Sequence, residues 1–255
     1  MRAGGLGYMC KDKATMNPSL DDSDDSESID PDNFFNKDAQ VVAKDLLGKV
    51  LQHKIDNIWL SVRIIETEAY YINERGSHAS LGFTEKRKAL FMKPGTIYMY
   101  YARGGDSLNF SCLGDGNAVL VKSGFPASND TTMLQKMRQL NPAAGGSTTA
   151  SGRSIDHLCN GQTLLCKSLG LKVPEWDGKV LDPDKFRIIQ NPNLNNFDDG
   201  VKEILQTTRL GIPPGRDEHL EYRFIEAEYV KYCTKNPLTV RKNPPKVTKF
   251  TQEHC

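Results

Sequence analysis

The chain reads as a mixed α/β protein built on a hairpin-rich, mostly antiparallel sheet. Three observations predict this. Short runs of β-branched and aromatic residues recur between residues 50 and 122. Tight turn signals separate them: Asp56-Asn57, Pro94-Gly95, the Arg103-Gly104-Gly105-Asp106 segment and Gly114-Asp115-Gly116. Helical periodicity is confined to a few short stretches that flank those runs.

Met1 to Asp32 holds eight acids, three bases and one aromatic, Tyr8. It offers too little apolar surface to offset its ordering entropy and is expected to be a disordered acidic tail over residues 1–32. Asp38 is placed to cap a helix over Ala39–Leu47, with apolar residues at 42, 43, 46 and 47 and Gly48 ending it. Strands follow over Val50–Lys54 and Ile58–Tyr71. Gly76–Lys88 is a polar, basic loop. Thr96–Ala102 and Ser107–Ser111 are strands around the 103–106 turn, and Ala118–Lys122 is another. Thr131–Leu140 and Gly161–Leu169 have helical spacing. Ile204–Leu210 is read as a short helix and Phe224–Val230 as a late strand. Residues 236–255 are Pro- and Lys-rich and are expected to form an extended tail, which leaves 33–235 as one domain.

Hydrophobic residues make up 38% and charged residues 25%, and no apolar run approaches a membrane span, so a spanning helix is not expected. No signal-peptide core follows Met1. The six cysteines are irregularly spaced and include no C-x-x-C pair, which predicts reduced thiols of an intracellular protein and no zinc site. The net charge of +1 divides into −5 over residues 1–32 and +6 over the rest. That balance permits nucleic-acid binding without requiring it.

The segment Arg63-Ile64-Ile65-Glu66-Thr67-Glu68-Ala69-Tyr70-Tyr71 carries the most information. Strand alternation groups Ile64, Glu66, Glu68 and Tyr70 on one face and Arg63, Ile65, Thr67, Ala69 and Tyr71 on the other. A carboxylate two positions from a tyrosine is ordinarily a solvated charge beside a packing ring. Thr96, Tyr98 and Tyr100 share a face of the next dense strand, where an aromatic ladder is the plain reading. Asn109 on the following strand and His78 in the basic loop add an amide and an imidazole. Taken together, these groups suit a pocket for an extruded nucleobase: rings to sandwich it, a polar group to inspect its edge and a carboxylate to activate water.

Those residues also carry a resemblance. Ile65-Glu66-Thr67-Glu68-Ala69-Tyr70, then His78, then Phe91-Met92-Lys93-Pro94-Gly95-Thr96-Ile97-Tyr98-Met99-Tyr100, then Asn109, closely resemble the alkyladenine (3-methyladenine) DNA glycosylase family. The likeness continues through Gly114–Leu120, Met137–Leu140, Leu158–Gly161, Thr208–Ile212 and Tyr222–Phe224, and covers roughly residues 33–232. It implies one compact domain with a curved, mostly antiparallel sheet, a protruding hairpin and surrounding helices. It implies a monofunctional enzyme that flips damaged purines out of double-stranded DNA and excises them, without metal or cofactor. Glu68 matches the general base for the attacking water. Tyr70 matches the ring on one face of the base, and His78 and Tyr100 match those on the other. Asn109 matches an amide that disfavours guanine, and Tyr98 a supporting phenol.

The chain departs from the family pattern at three places. Arg103 stands where a tyrosine wedge is usual, Lys122 where an arginine flanks the catalytic water, and Gly161-Gln162-Thr163-Leu164-Leu165 where a G-P-x-[KR]-L signature is usual. Arg103, Lys93 and Arg138 are the candidate DNA contacts. Two other readings compete. One is a relative that binds lesion DNA with little turnover, which the substitutions at 103 and 122 favour and Glu68 opposes. The other is a glycosidase of free nucleosides or sugars. A monomer is expected. An acidic tail on such a core, with the diffuse basic stretch Arg241–Lys249, suggests a nuclear protein.

Overall fold

A computed structural model of the protein describes residues 28–102, 104–143, 152–190 and 201–253. The chain begins with a single turn, α1 (Pro31–Phe34), capped by the Asp30 carboxylate. It continues into α2 (Ala39–Leu46), whose N-terminus Asp38 caps by accepting from Gln40 N at 2.9 Å. β1 (Val50–Ile55) and β2 (Ile58–Tyr70) form a hairpin, and its two turn residues, Asp56 and Asn57, have φ of 50° and 62°. That is the conformation a two-residue hairpin turn demands and Asn and Asp tolerate.

Two 3-10 turns, His78–Leu81 and Glu85–Phe91, shape the segment read as a loop. Next come β3 (Ile97–Ala102), β4 (Gly105–Ser111) and β5 (Ala118–Pro126). Four helices follow: α3 (Thr131–Leu140), α4 (Ile155–Leu158), α5 (Gln162–Leu169) and α6 (Val173–Trp176). The remaining strands are β6 (Phe186–Ile189), β7 (Val201–Thr207), β8 (Arg223–Glu226) and β9 (Val247–Glu253), with a 3-10 segment over Ala227–Tyr232.

Among the described residues, nine strands form one open antiparallel sheet, in the order β3-β4-β5-β2-β8-β7-β9, with β1 pairing β2 and β6. The predicted fold class is therefore the observed one. β2 is its spine. The first half of β2 pairs with β1 and the second half with β8, while β5 runs along its other edge. The main core lies between one face of this sheet and the helices. Val42, Ala43 and Leu46 of α2 meet Ile64 and Ala69 of β2, and Met137 of α3 and Leu165 and Leu169 of α5 close the layer. Thr67 Oγ1 donates to Ala43 O at 2.7 Å, which satisfies one buried hydroxyl in that interface.

Several expectations need correction. Ile204–Leu210 is not a helix: Ile204 to Thr207 lie in β7, paired with β8 on one side and β9 on the other. Ile204 enters the main core, while Leu205 packs with Ile225 and Cys233 on the opposite face. Ile204 and Leu205 are adjacent apolar residues buried on opposite faces, so the segment lacks the alternation that would have revealed a strand. The late strand ends at Glu226, and a 3-10 segment follows it. Gly105 and Asp106 belong to β4, not to the turn, because they pair with Ala102 and Tyr101. β9, from the Pro- and Lys-rich end of the chain, is a sheet strand beside β7.

The alternation assumed for β2 also fails at one point. Pairing with β5 shifts register between Ile64 and Glu66 and again before Thr67, the mark of a bulge. Ile64 therefore joins the core with Val62, Thr67 and Ala69 instead of sharing a face with Glu66 and Glu68. The bulge thus lets one strand present apolar side chains inward at its start and two carboxylates to the opposite side further on.

Gly124 of β5 lies where β2 approaches most closely. A Cβ there would overlap Val62 Cγ1 and lie 2.9 Å from Arg63 O. Gly124→Ala is expected to cost about 1 to 3 kcal/mol by overpacking. A denaturant midpoint equal to that of the wild type would show that β2 and β5 separate more easily than this packing implies.

Candidate active site

The second half of β2 places Glu66, Glu68 and Tyr70 on the face away from the helices, and β3, β4 and β5 extend that face sideways. A cavity of about 400 Å³ opens there. Its wall includes Tyr70, His78, Tyr98, Tyr100, Asn109 and Lys122, together with Gln162 and the Leu210–Pro213 segment. That volume is in the range of small-molecule sites, and the lining combines rings with a few polar groups.

Glu68 is fully buried and lies just behind this wall. Its Oε2 accepts from the Tyr70 hydroxyl at 2.7 Å and from Lys122 Nζ at 3.4 Å, and its Oε1 accepts from Leu210 N at 2.9 Å. Burial pushes the Glu68 carboxyl up, but the Lys122 charge, the Leu210 N–H and the Tyr70 hydroxyl outweigh it and hold the group below its ordinary value. Glu68 is therefore ionised at neutral pH. A carboxylate offers four acceptor positions, and three are taken by these partners. The Tyr70 phenol is driven well above its ordinary value by burial and by the Glu68 charge, so it stays a proton donor.

The Tyr70 ring is held from behind. The Arg209 guanidinium carbon lies 4.5 Å from its centroid. Arg209 is itself clamped by two 2.6 Å bonds to the Glu74 carboxylate and one of 3.0 Å to Ala69 O. On the other side of the site, His78 and Tyr100 make an edge contact at 4.5 Å between centroids, and the Tyr98 hydroxyl lies 3.0 Å from His78 Nδ1. Burial, with the nearby charges of Arg87 and Arg216, lowers the His78 pKa, so the ring is neutral at pH 7. Asn109 Nδ2 donates to Tyr98 O at 3.0 Å, which fixes the orientation of the amide.

Lys122 and Gln162 join the two walls. Lys122 Nζ donates to Gln162 Oε1 at 3.0 Å, and Gln162 Nε2 donates to Ser107 Oγ at 2.7 Å and to the Tyr100 hydroxyl at 3.4 Å. Beneath them lies a second buried pair. Arg223 Nε donates to Glu66 Oε1 at 2.6 Å, while Glu66 Oε2 accepts from Ser123 Oγ at 2.6 Å and from Thr234 N at 2.8 Å.

With this geometry in view, comparison with known proteins is direct. The family model for methylpurine-DNA glycosylase matches residues 33–229. The chain belongs to the methylpurine-DNA glycosylase family. A protein of Pseudomonas savastanoi pv. phaseolicola is 58% identical over 211 residues, covering 82% of this chain and 90% of that protein. One from Pseudomonas aeruginosa strain LESB58 is 56% identical over 211 residues, covering 82% and 84%. One from Koribacter versatilis is 31% identical over 209 residues, covering 78% and 91%. All three carry the provisional name 3-methyladenine DNA glycosylase.

These relatives are bacterial, and bacteria have no nucleus, so the expectation of a nuclear protein is overturned. An acidic N-terminal segment is a statement about solvation and charge and carries no address. Among the described residues, no helix is long and apolar enough to cross a membrane, and no group of three His, Cys, Asp or Glu side chains is placed to hold a metal.

The seven sequence-predicted pocket and catalytic residues of this glycosylase-family chain come together at one cavity: Glu68, Tyr70, His78, Tyr98, Tyr100, Asn109 and Lys122. The three candidate DNA contacts do not gather there. Lys93 is exposed and pairs with Asp32 at 2.8 Å. Arg138 on α3 donates to Arg153 O at 3.0 Å. Arg103 lies outside the described residues, although its neighbour Ala102 lines the cavity. Gln162, Arg209, Glu74 and the Leu210 N–H were not anticipated as parts of the site. Glu-Thr-Glu, two carboxylates sharing one face of a buried strand, was the available signal that two counter-charges had to be supplied from elsewhere. The Leu210 contact is a backbone group and leaves no side-chain signature.

The depressed carboxyl of Glu68 links stability to pH. Its ordinary value is 4.5 and its folded value is lower. The stabilisation from its ionised form is therefore present above that ordinary value and is lost as the pH falls through the folded value. Glu68→Gln, which cannot titrate, should be less stable than wild type by a wider margin at pH 7 than at pH 3. Urea midpoints at the two pH values measure this. A constant gap would mean that Glu68 gains nothing from its partners.

Proposed function

We propose that the protein is a monofunctional DNA glycosylase that takes a damaged purine, flipped from duplex DNA, into this cavity and hydrolyses its N-glycosidic bond. The observation that carries this reading is the ionised, fully buried Glu68 directly behind a cavity walled by Tyr70, His78 and Tyr100. The substrates are alkylated or deaminated purines: 3-methyladenine, 7-methylguanine, hypoxanthine and ethenoadenine.

The chemistry follows from the residues. Glu68 accepts the proton of a water held at its remaining acceptor position, and that water attacks the deoxyribose C1′ as the bond to the base lengthens through an oxocarbenium-like state. A purine alkylated on a ring nitrogen is cationic and leaves without strong protonation. The same cation gains on the order of 1 to 2 kcal/mol between electron-rich rings. A damaged pair is also cheaper to unstack, which adds selectivity before chemistry begins. Asn109, with its amide held by Tyr98 O, crowds the exocyclic amino group of guanine and disfavours the undamaged base. Lys122 is committed to Glu68 and Gln162, a placement that suits charge stabilisation and not a nucleophilic amine. Base loss without strand cleavage is the consequence.

Duplexes containing hypoxanthine, 1,N6-ethenoadenine or 7-methylguanine test this directly. The wild type is expected to leave abasic sites. Glu68→Gln should reduce single-turnover excision by on the order of 10²- to 10⁴-fold, the usual contribution of a general base, while lesion binding survives. Tight lesion binding with no abasic product at any enzyme excess would replace catalysis with a lesion-binding role.

A further inference from the structure

Lys122 and Gln162 both depart from the residues usual at their positions, and the two side chains are bonded to each other. Lysine carries a compact charge on a flexible stem, with rotatable donors and no planar fork to fix its direction. The contact of Lys122 Nζ with Glu68, at 3.4 Å, is longer than its contact with Gln162 Oε1, at 3.0 Å. The better-formed bond is thus the one to the amide. Gln162 cannot drift. Its other end is fixed by Ser107 Oγ at 2.7 Å and reaches the Tyr100 hydroxyl at 3.4 Å.

Its backbone is anchored as well. Gly161 N donates to Ser123 Oγ at 3.0 Å, and Ser123 Oγ donates to Glu66 Oε2 at 2.6 Å. Next door, Thr163 lies so close to β4 that a Cβ on Gly105 would come within 2.7 Å of Thr163 Cβ. The start of α5 is therefore seated against both β4 and β5.

We propose that Gln162 is a positioning residue for the glycosylase reaction: its carboxamide holds the Lys122 ammonium beside Glu68 and ties it to Tyr100 of the base-stacking wall. It supplies the direction that a lysine lacks. A base stacked on Tyr100 steadies that phenol, and through Gln162 it steadies the charge next to the water-activating carboxylate. This inference rests on the function proposed above.

Gln162→Met keeps the side-chain volume and removes both polar ends. Single-turnover excision of hypoxanthine is expected to fall about tenfold or more, the scale of a lost charge-assisted hydrogen bond, with the lesion-duplex Kd unchanged. The effect runs through Lys122, so Lys122→Met/Gln162→Met should be no slower than Lys122→Met alone. An unchanged rate in Gln162→Met, or additive losses in the double variant, would overturn the assignment.

A second readout needs no catalysis. In the free, ¹⁵N-labelled protein, the Lys122 ammonium, identified by its absence in Lys122→Met, should give a resolved signal that exchange with water erases in Gln162→Met. The backbone amide spectrum of Gln162→Met should meanwhile stay folded. If that signal is equally sharp in both proteins, Gln162 does not hold the lysine. If the wild type excises no lesion at all, the proposed reaction fails, and the ammonium signal alone decides whether Lys122 is positioned by Gln162.

Discussion

A charge with no exposed surface governs this structure. Glu68 is ionised and wholly buried, and an unpaired carboxylate in that position would be prohibitively costly. Two elements distant in sequence converge with its own strand to make it tenable. β5 brings Lys122, the segment after β7 brings the Leu210 N–H, and β2 itself brings the Tyr70 hydroxyl. Each of those groups is in turn part of the cavity wall. The groups that keep Glu68 charged are thus the same groups that build the surface a base would touch. Keeping Glu68 charged and shaping the cavity beside it are one physical task here.

The same strand carries a second buried carboxylate, and its partners show how the first is kept in place. Glu66 pairs with Arg223 of β8 and holds Ser123, which in turn caps the start of α5 at Gly161. From that start Gln162 returns to Lys122, and Lys122 to Glu68. A chain of polar contacts runs from one acid of β2 to the other through β5 and the start of α5, with Arg223 of β8 attached at Glu66. Buried networks of this kind are stable only when their members are satisfied, and they then admit few alternative arrangements. Along β2 itself the two acids have no such link, because neighbouring same-face carboxylates only repel.

The elements whose signals are local were legible in the sequence. Thr131–Leu140 was read to the residue, because its apolar positions follow one helical face. The α2 cap at Asp38 and the Asp56-Asn57 turn were equally plain, since short polar side chains there have a specific backbone to satisfy. Ile204–Thr207 was misread for the opposite reason: it is buried on both faces, so no period distinguishes strand from helix. The face of Ile64 was misread because a bulge is a property of two paired strands and has no mark on one of them. Among the site residues, those with a ring or a charge on a strongly patterned strand were found. Gln162 and Arg209 were not, because an amide at a helix start and an arginine after a strand are ordinary in isolation.

By itself, then, the sequence determined the rings, the amide, the imidazole and the carboxylate of the pocket. The spacing of Glu68 and Tyr70 on β2, of Tyr98 and Tyr100 on β3, and the presence of Asn109 and His78 specified the chemistry available, because strand alternation is a local rule. Only the tertiary structure decided which of these groups meet and in what charge state. A carboxyl pKa depends on what surrounds the group in space, and the charges around Glu68 come from Lys122 and Arg223, far along the chain. The tertiary structure also separated the two acids of Glu-Thr-Glu into different surroundings. Glu66 is tied to Arg223, Ser123 and Thr234, whereas Glu68 sits against the wall of the cavity. Within β2 only the Tyr70 hydroxyl distinguishes them, and the rest of the difference lies in the elements folded against the strand.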